Sequence, residues 1–136
     1  MNQALVDSMW SYLKAGLAMD VDTLDQLYDP AFENLRVDKS GQTVILTKAQ
    51  FMARFRALRE QGQSVGDSID DVTFPATTDF GDHAAIIMRR VKDDVPVLYA
   101  FIWRMEEGWP TTILREITFD EDISYLVRMV QVAKDA

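Results

Sequence analysis

The chain has 136 residues, of which 48% are hydrophobic, and its formal net charge at pH 7 is −8. A chain of this size and composition is large enough to bury one core and too apolar to be disordered. The acidic excess disfavours nucleic acid and anionic membrane surfaces as partners, and the absence of cysteine excludes disulfides and thiolate chemistry.

Three segments in the N-terminal half of the chain predict helices. Apolar residues recur every four positions over residues 3–18, which places them on one helical face. A short helix fits residues 21–28 and is ended by the proline that follows. The third helix opens at Thr47, where a capping box with Gln50 satisfies backbone N–H groups, and it should end near Gly62.

The apolar period elsewhere is two, which predicts strands. The predicted strands span residues 32–37, 43–46, 65–78, 82–91, 95–105 and 109–119. Pro75 indicates a bulge or an edge in the third of them. A final helix over residues 121–134, capped by Asp120, completes the order ααββαββββα. This order predicts an α+β domain in which the N-terminal helices pack on a curved, mostly antiparallel sheet. We interpret residues 1–136 as one domain, with a core at 5–119 and a helical extension at 120–136.

Two tight turns set the phase of the last three strands. Asp93–Asp94 and Glu107–Gly108 are typical two-residue hairpin loops. Directly opposed residues then share a face, and faces alternate along each strand. This register pairs Trp103 with Thr112, Phe101 with Leu114 and Tyr99 with Glu116. The face directed at the helices would carry Met88, Arg90, Tyr99, Phe101, Trp103, Leu114 and Glu116.

The opposite face of the same strands is also largely apolar. Its predicted members include Leu98, Ala100, Ile102, Ile113 and Ile117. An exposed apolar patch of this extent is typical of an interface. The sequence therefore predicts a homodimer that packs through the outer sheet face.

The element order, the segment MDVDTLDQLYDPAF and the ending EEGWPTTILREITF resemble the NTF2-like superfamily, which includes ketosteroid isomerases and SnoaL-like polyketide cyclases. The segments LTKAQFMARF and FGDHAAI resemble its branch named for lumazine binding. The resemblance implies a cone-shaped (cystatin-like) fold, a cavity between the long helix and the concave sheet, and dimerisation through the back of the sheet.

The resemblance also argues against steroid isomerase chemistry. Tyr12 matches the position of the tyrosine that hydrogen-bonds the oxyanion in ketosteroid isomerases. Their proton-shuttling aspartate falls at Arg36, and their second, protonated aspartate falls at Phe101. A guanidinium does not act as a base near neutral pH, and a phenyl ring donates no hydrogen bond.

Glu116 is the main candidate for chemistry. A carboxylate on the cavity side would have its pKa raised by desolvation, as a general base requires. Alternatively, Glu116 pairs with an arginine or reaches the cavity mouth as structural support. Arg90 on the same face either neutralises Glu116 or binds an anionic group, and Arg36 is a further anion anchor. Tyr12 is either an oxyanion donor or a core residue with a satisfied hydroxyl.

The remaining candidates form an aromatic wall that would suit a flat or apolar ligand. The predicted ligand-binding residues are Trp10, Arg36, Phe51, Phe55, Met88, Arg90, Tyr99, Phe101, Trp103 and Leu114. His83, the lone histidine, is interpreted as a surface or interface residue. The spacing of acids and of histidine predicts no metal site and no cofactor.

Three functions remain open at this point. The first is the binding of a small apolar or aromatic molecule without chemistry. The second is a cofactor-independent lyase, isomerase or cyclase with Glu116 as base and Tyr12 as oxyanion donor. The third is a structural dimer that uses its outer surface. No apolar run approaches the ~20 residues of a membrane span, and the N-terminal residues do not resemble a secretory signal, so we expect a cytoplasmic protein.

Overall fold

The computed structural model describes residues 1–66 and 68–135. Position 67, inside one predicted strand, and position 136, the end of the predicted domain, lie outside the described residues. The helices are α1 (Gln3–Leu17), α2 (Val21–Leu27), α3 (Lys48–Glu60) and α4 (Ser124–Asp135). The strands are β1 (Tyr28–Asp38), β2 (Thr43–Thr47), β3 (Thr73–Asp79), β4 (His83–Lys92), β5 (Val95–Glu106) and β6 (Trp109–Asp120). None of the described helices has the length and apolar character needed to cross a bilayer.

Side-chain caps start the first three helices where the sequence places them. Asn2 accepts a hydrogen bond from the Leu5 backbone N–H, and Asp20 accepts one from Thr23. The predicted capping box is confirmed: the Gln50 backbone N–H donates to Thr47 Oγ1, and the Thr47 backbone N–H donates to Gln50 Oε1. Each cap satisfies an N–H group that has no partner within the helix.

The six strands form one sheet in the order β2-β1-β6-β5-β4-β3. The β1–β6 pair is parallel and the other pairs are antiparallel. Buried side chains of α1, α2 and α3 join those of one sheet face in a common core. The predicted α+β architecture, with helices on a curved and mostly antiparallel sheet, is therefore confirmed.

The two predicted hairpin turns are also present. Asp93, Asp94, Glu107 and Gly108 all have positive φ, between 50° and 81°, as type I′ turns require. The β4–β5 register is the predicted one, including Arg90 opposite Val97, Met88 opposite Tyr99 and Ile86 opposite Phe101.

The β5–β6 register differs from the prediction because β6 contains two extra residues. Glu106 pairs with Trp109 as expected, but Trp103 pairs with Ile113 and Phe101 pairs with Glu116. Each bulge moves the register by one residue, and a single slip exchanges the two faces. Between the bulges the predicted faces of β6 are therefore wrong. Beyond both bulges the alternation returns to phase, so Glu116 is on the helix-facing side.

Three predicted boundaries were also wrong. Among the described residues, the strand predicted over residues 65–78 begins only at Thr73, and it extends to Asp79. The predicted irregularity at Pro75 is present, because the β3–β4 register shifts between Thr73 and Ala76. The first strand is longer than predicted and begins directly at the end of α2. The last helix begins at Ser124 rather than at residue 121.

The start of α4 is held by β1 rather than by Asp120. The Asp38 carboxylate accepts hydrogen bonds from the backbone N–H groups of Ile123, Ser40 and Gln42. These donors, with Ile123 first, lower the pKa of Asp38 to about 2. Ile123 and Leu126 are buried in the core, so α4 is anchored at its first turn.

A candidate ligand cavity between the helices and the sheet

A cavity of about 300 Å³ lies between α1, α3 and the inner face of the sheet. This volume is at the lower end of the range for small-molecule pockets. Its walls comprise Tyr12, Leu13, Gly16 and Leu17 of α1, Phe51 and Phe55 of α3, Val65, Gly66, Ser68 and Ile69 of the segment after α3, Arg36, Met88, Arg90, Lys92, Tyr99, Phe101, Glu116, Thr118 and Asp120 of the sheet, and Tyr125 of α4. The chain thus encloses a space with an aromatic and a polar side.

The aromatic side is rigidly packed. Phe51 contacts Phe55 edge-on with ring centroids 5.2 Å apart, and Tyr12 contacts Phe101 in the same way at 5.6 Å. Tyr99 stacks on Phe101 at 6.3 Å. Offset and edge-to-face pairs are the favoured geometries of aromatic rings. These contacts fix the wall and leave ring surface facing the cavity.

The polar side is a strip of side chains on the neighbouring parallel strands β1 and β6. Asn34 lies opposite Glu116, and Arg36 lies opposite Thr118. Four buried polar atoms of the strip and its end have no hydrogen-bond partner, namely Asn34 Nδ2, Glu116 Oε2, Thr118 Oγ1 and Asp120 Oδ2. A buried polar group without a partner costs about 1–3 kcal/mol. A bound molecule with polar groups could supply hydrogen-bond partners for these atoms.

Glu116 is the centre of the strip and is only 7% exposed. Burial raises the pKa of its carboxyl above the usual value, while Arg36 and then the Asn34 amide act to lower it. Asn34 Nδ2 is a neighbour rather than a bonded partner, because neither this atom nor Glu116 Oε2 has a hydrogen bond. Within the described chain Glu116 forms no ion pair within 4.0 Å. The structural alternative, in which an arginine holds Glu116, is not the arrangement seen.

Tyr12 faces the same cavity but its hydroxyl has an internal partner. Its Oη lies 2.6 Å from Tyr28 Oη in a buried hydrogen bond. Burial, followed by the nearby Glu116 charge, raises the pKa of Tyr12 well above its usual range. Tyr12 therefore stays protonated, so it can donate one hydrogen bond, either to Tyr28 or to a ligand.

The lining of the cavity contains three cationic side chains and two acidic ones. Arg90 is neutralised outside the cavity by Asp71, with Nη2 3.2 Å from Oδ1. Arg36 donates from Nε to Asn34 Oδ1 at 3.0 Å, and the Lys92 ammonium lies 5.8 Å from the centre of the Tyr99 ring. Apart from Arg90, which Asp71 neutralises, the lining therefore carries two cations and two acids.

Most of the residues predicted for the site meet at this cavity. These are Tyr12, Arg36, Phe51, Phe55, Met88, Arg90, Tyr99, Phe101 and Glu116. Of the two alternatives for Arg90, neutralisation occurs, but through Asp71 and not through Glu116.

Three residues predicted to bind ligand lie elsewhere. Trp10 packs edge-on against Phe74, with ring centroids 5.1 Å apart. Trp103 is fully buried in the core, where its Nε1 donates to Met9 Sδ. Leu114 is the extra residue of a β6 bulge, and its neighbour Ile113 takes the inward position.

The sequence prediction did not include the remaining polar residues of the strip among the site residues. Asn34 and Thr118 are buried at 0% and 2% exposure, and Asp120 lines the cavity instead of capping a helix. Alternation from Glu116 predicts that Thr118 is inward, and the structure has it there. No local pattern indicates that Asn34 stands beside Glu116, because their strands are far apart in sequence.

Among the described residues, no candidate metal centre accompanies this cavity. Residues 1–66 and 68–135 contain no group of three or more histidines and acids placed to hold a metal ion. His83 lies outside the cavity and is half exposed, with its Nδ1 2.7 Å from Asp82 Oδ1 and its ring stacked on Phe80.

Solved structures with the same fold include proteins of unknown function. An NTF-2-like protein from Silicibacter pomeroyi DSS-3 superposes with a TM-score of 0.64 at 14% identity, covering 85% of this chain and 92% of that one. One from Shewanella baltica OS155 gives 0.61 at 15% identity, covering 85% and 90%. A de novo designed NTF2-fold protein gives 0.57 at 11% identity, covering 100% and 98%. No protein-family model and no curated protein sequence matches the chain. Similarity at these identities shows the fold alone.

Proposed function

From the premise that this chain has the NTF2-like fold, we propose that it binds a small, mostly aromatic molecule in the cavity between α1, α3 and the sheet. The observation that carries this proposal is the pairing of an open aromatic wall with buried polar atoms that lack partners. Apolar walls with a few convergent polar groups are the usual composition of ligand sites. Fold similarity alone would not support it.

Gly16 offers a direct test, because an added Cβ at this cavity-lining position meets no heavy atom within 4 Å. We expect Gly16→Leu to occupy part of the cavity and to weaken binding of monocyclic aromatic compounds at least about tenfold, equivalent to about 1.4 kcal/mol. The same change should raise the free energy of unfolding by up to about 1 kcal/mol, because leucine favours helix over glycine. Ligand-observed NMR titration and denaturant unfolding measure the two effects.

The matched control is Ser11→Leu on the exposed face of the same helix. It should leave binding unchanged. If no monocyclic aromatic compound binds the wild-type protein at millimolar concentration, or if Gly16→Leu binds as the wild type does, the cavity is not the binding site.

A second candidate function is acid–base catalysis in the same cavity. Glu116 has an unpartnered oxygen, its pKa is raised by burial, and Tyr12 faces the same space. A carboxylate with a raised pKa is the form that a general base takes in enzymes that remove protons from carbon. In this proposal Glu116 accepts the proton and Tyr12 donates a hydrogen bond to the developing oxyanion.

The catalytic candidate depends on a raised pKa of Glu116, which can be tested by measuring the free energy of unfolding as a function of pH. When the folded pKa of an acid exceeds its unfolded pKa, stability falls as pH rises through the folded value. Glu116→Gln does not titrate and bears no charge to desolvate, so at pH ~8 it should be more stable relative to the wild type, by about 1.4 kcal/mol for each unit by which burial raises the pKa of Glu116. The difference should shrink toward pH ~4. Acids with lowered pKa values, such as Asp38, are present in both proteins. Their contributions to the pH dependence of stability therefore cancel when the two proteins are compared.

Denaturant unfolding of both proteins across this pH range measures the difference. A stability difference that does not change with pH would mean that Glu116 titrates in the ordinary acid range. The carboxylate would then be a poor base near neutrality, and the catalytic candidate would be excluded.

We also propose that the outer sheet face is a homodimer interface. One apolar row crosses all six strands through register neighbours, in the order Ile45, Leu35, Ile117, Ala100, Ile87 and Ala76. On the same face Phe119 and Leu98 are 55% and 48% exposed. A two-fold dimer would bury this row against its own copy.

A further inference from the structure

A small side pocket joins the cavity at the end near α3. It measures about 70 Å³ and shares Phe51, Phe55 and Arg36 with the main cavity wall. Arg54 of α3 faces Arg36 of β1 across this pocket. At about 30 Å³ for each water-sized group, the pocket has room for roughly two such groups, which is the size of one carboxylate.

Within the described residues, no acidic side chain forms an ion pair within 4.0 Å with either of the two guanidinium groups, those of Arg36 and Arg54. Arg36 uses its Nε for Asn34, and neither of its terminal nitrogens forms a hydrogen bond within the described chain. Burial, followed by the nearby Arg36 charge, lowers the pKa of Arg54. Two partly desolvated like charges repel, so a bound anion would stabilise them.

The acids of the cavity do not fill this role. Glu116 forms no ion pair with either arginine in the described chain, and burial favours its neutral form. Asp25 near the same helix is occupied instead by Lys48 and Arg56, at 3.6 and 3.9 Å. The side pocket therefore offers two guanidinium groups with aromatic rings beside them.

We propose that the cavity selects small aromatic carboxylates, with the carboxylate in the side pocket between Arg36 and Arg54 and the ring against Phe51, Phe55 and Phe101. This inference rests on the proposed ligand-binding function and names the chemical class of the ligand. The planar fork of a guanidinium matches the two oxygens of a carboxylate, and two such groups give orientation as well as affinity. The unpartnered Oε2 of Glu116 remains available for a hydrogen bond to a polar substituent of the ring.

The test compares three probes of similar shape, namely benzoate, benzamide and phenyl phosphate, by ligand-observed NMR titration. We expect benzoate to bind at least about tenfold more tightly than the neutral benzamide, and this advantage should fall as salt is added. Arg36→Gln and Arg54→Gln should each reduce benzoate affinity about tenfold and leave benzamide affinity within twofold. Arg56→Gln, on the exposed side of the same helix, is the matched control and should change neither.

Each alternative result has a separate meaning. Equal binding of benzoate and benzamide, both lost in Gly16→Leu, would overturn the carboxylate class and leave cavity binding standing. Tighter binding of phenyl phosphate by more than about tenfold would assign the pocket to phosphate esters instead. Binding of none of the three probes would overturn the proposed function, and the inference would fall with it.

Discussion

Replacing Ala100 by glutamate is expected to convert a dimer of this protein into monomers. Ala100 is the centre of the apolar row on the outer sheet face, between Ile117 on β6 and Ile87 on β4. In a two-fold dimer both copies would bring a carboxylate into the buried interface. An unpaired buried charge costs about 3–5 kcal/mol, so the dissociation constant should rise at least about 100-fold.

Analytical ultracentrifugation of the wild-type protein and of Ala100→Glu at micromolar concentration measures this change. Ala57→Glu, an identical substitution on the exposed side of α3, is the control and should remain dimeric. The substituted side chain is already partly exposed in a single chain, so monomeric Ala100→Glu should remain folded by circular dichroism. A wild-type protein that is monomeric throughout this range would contradict the proposed interface.

Trp103→Ala is expected to produce the largest loss of stability from a single side chain. Trp103 is 1% exposed and contributes the largest fully buried side chain in the described core. Removing it would leave a cavity beside Ile113 and Ala84 and would delete the Nε1 donor to Met9 Sδ. Truncation of a buried tryptophan costs about 3–5 kcal/mol in the free energy of unfolding.

Trp109→Ala is the matched control, because Trp109 is 66% exposed. It should change stability by no more than about 0.5 kcal/mol. Denaturant unfolding followed by circular dichroism measures both variants. Under conditions where Trp103→Ala is folded, it should bind aromatic ligands as the wild type does. Selective loss of ligand binding in a fully stable Trp103→Ala would mean that Trp103 lines the site after all.

The helices and hairpins could be predicted because local interactions define them. The four-residue apolar period of α1 and the capping box at Thr47 act within a few residues. The turn at Asp93–Asp94 fixes the β4–β5 register by itself, so the inward positions of Met88 and Tyr99 followed correctly. Local sequence therefore determines the secondary-structure elements and which residues of β4 and β5 face the helices.

The composition of the cavity required the tertiary structure for two reasons. The β6 bulges leave no pattern in the sequence, yet they move Leu114 out of the inner face and bring Ile113 into it. The second reason is the parallel pairing of β1 with β6, which brings Asn34 beside Glu116. Pairing between such distant segments depends on how all the strands are arranged in the sheet, and local residue propensities do not specify it.

The position and the pKa of Glu116 depend on both the local sequence and the tertiary structure. Its inward position was predicted from alternation and is correct only because the two bulges together shift the register by one full period. Its raised pKa depends on burial by groups from other elements, and the facing of Arg36 and Arg54 depends on α3 packing against β1. The sequence alone thus determined the elements, the turns and the residue types available. Only the tertiary structure decided which polar atoms lie together without partners, because that outcome depends on contacts between distant segments.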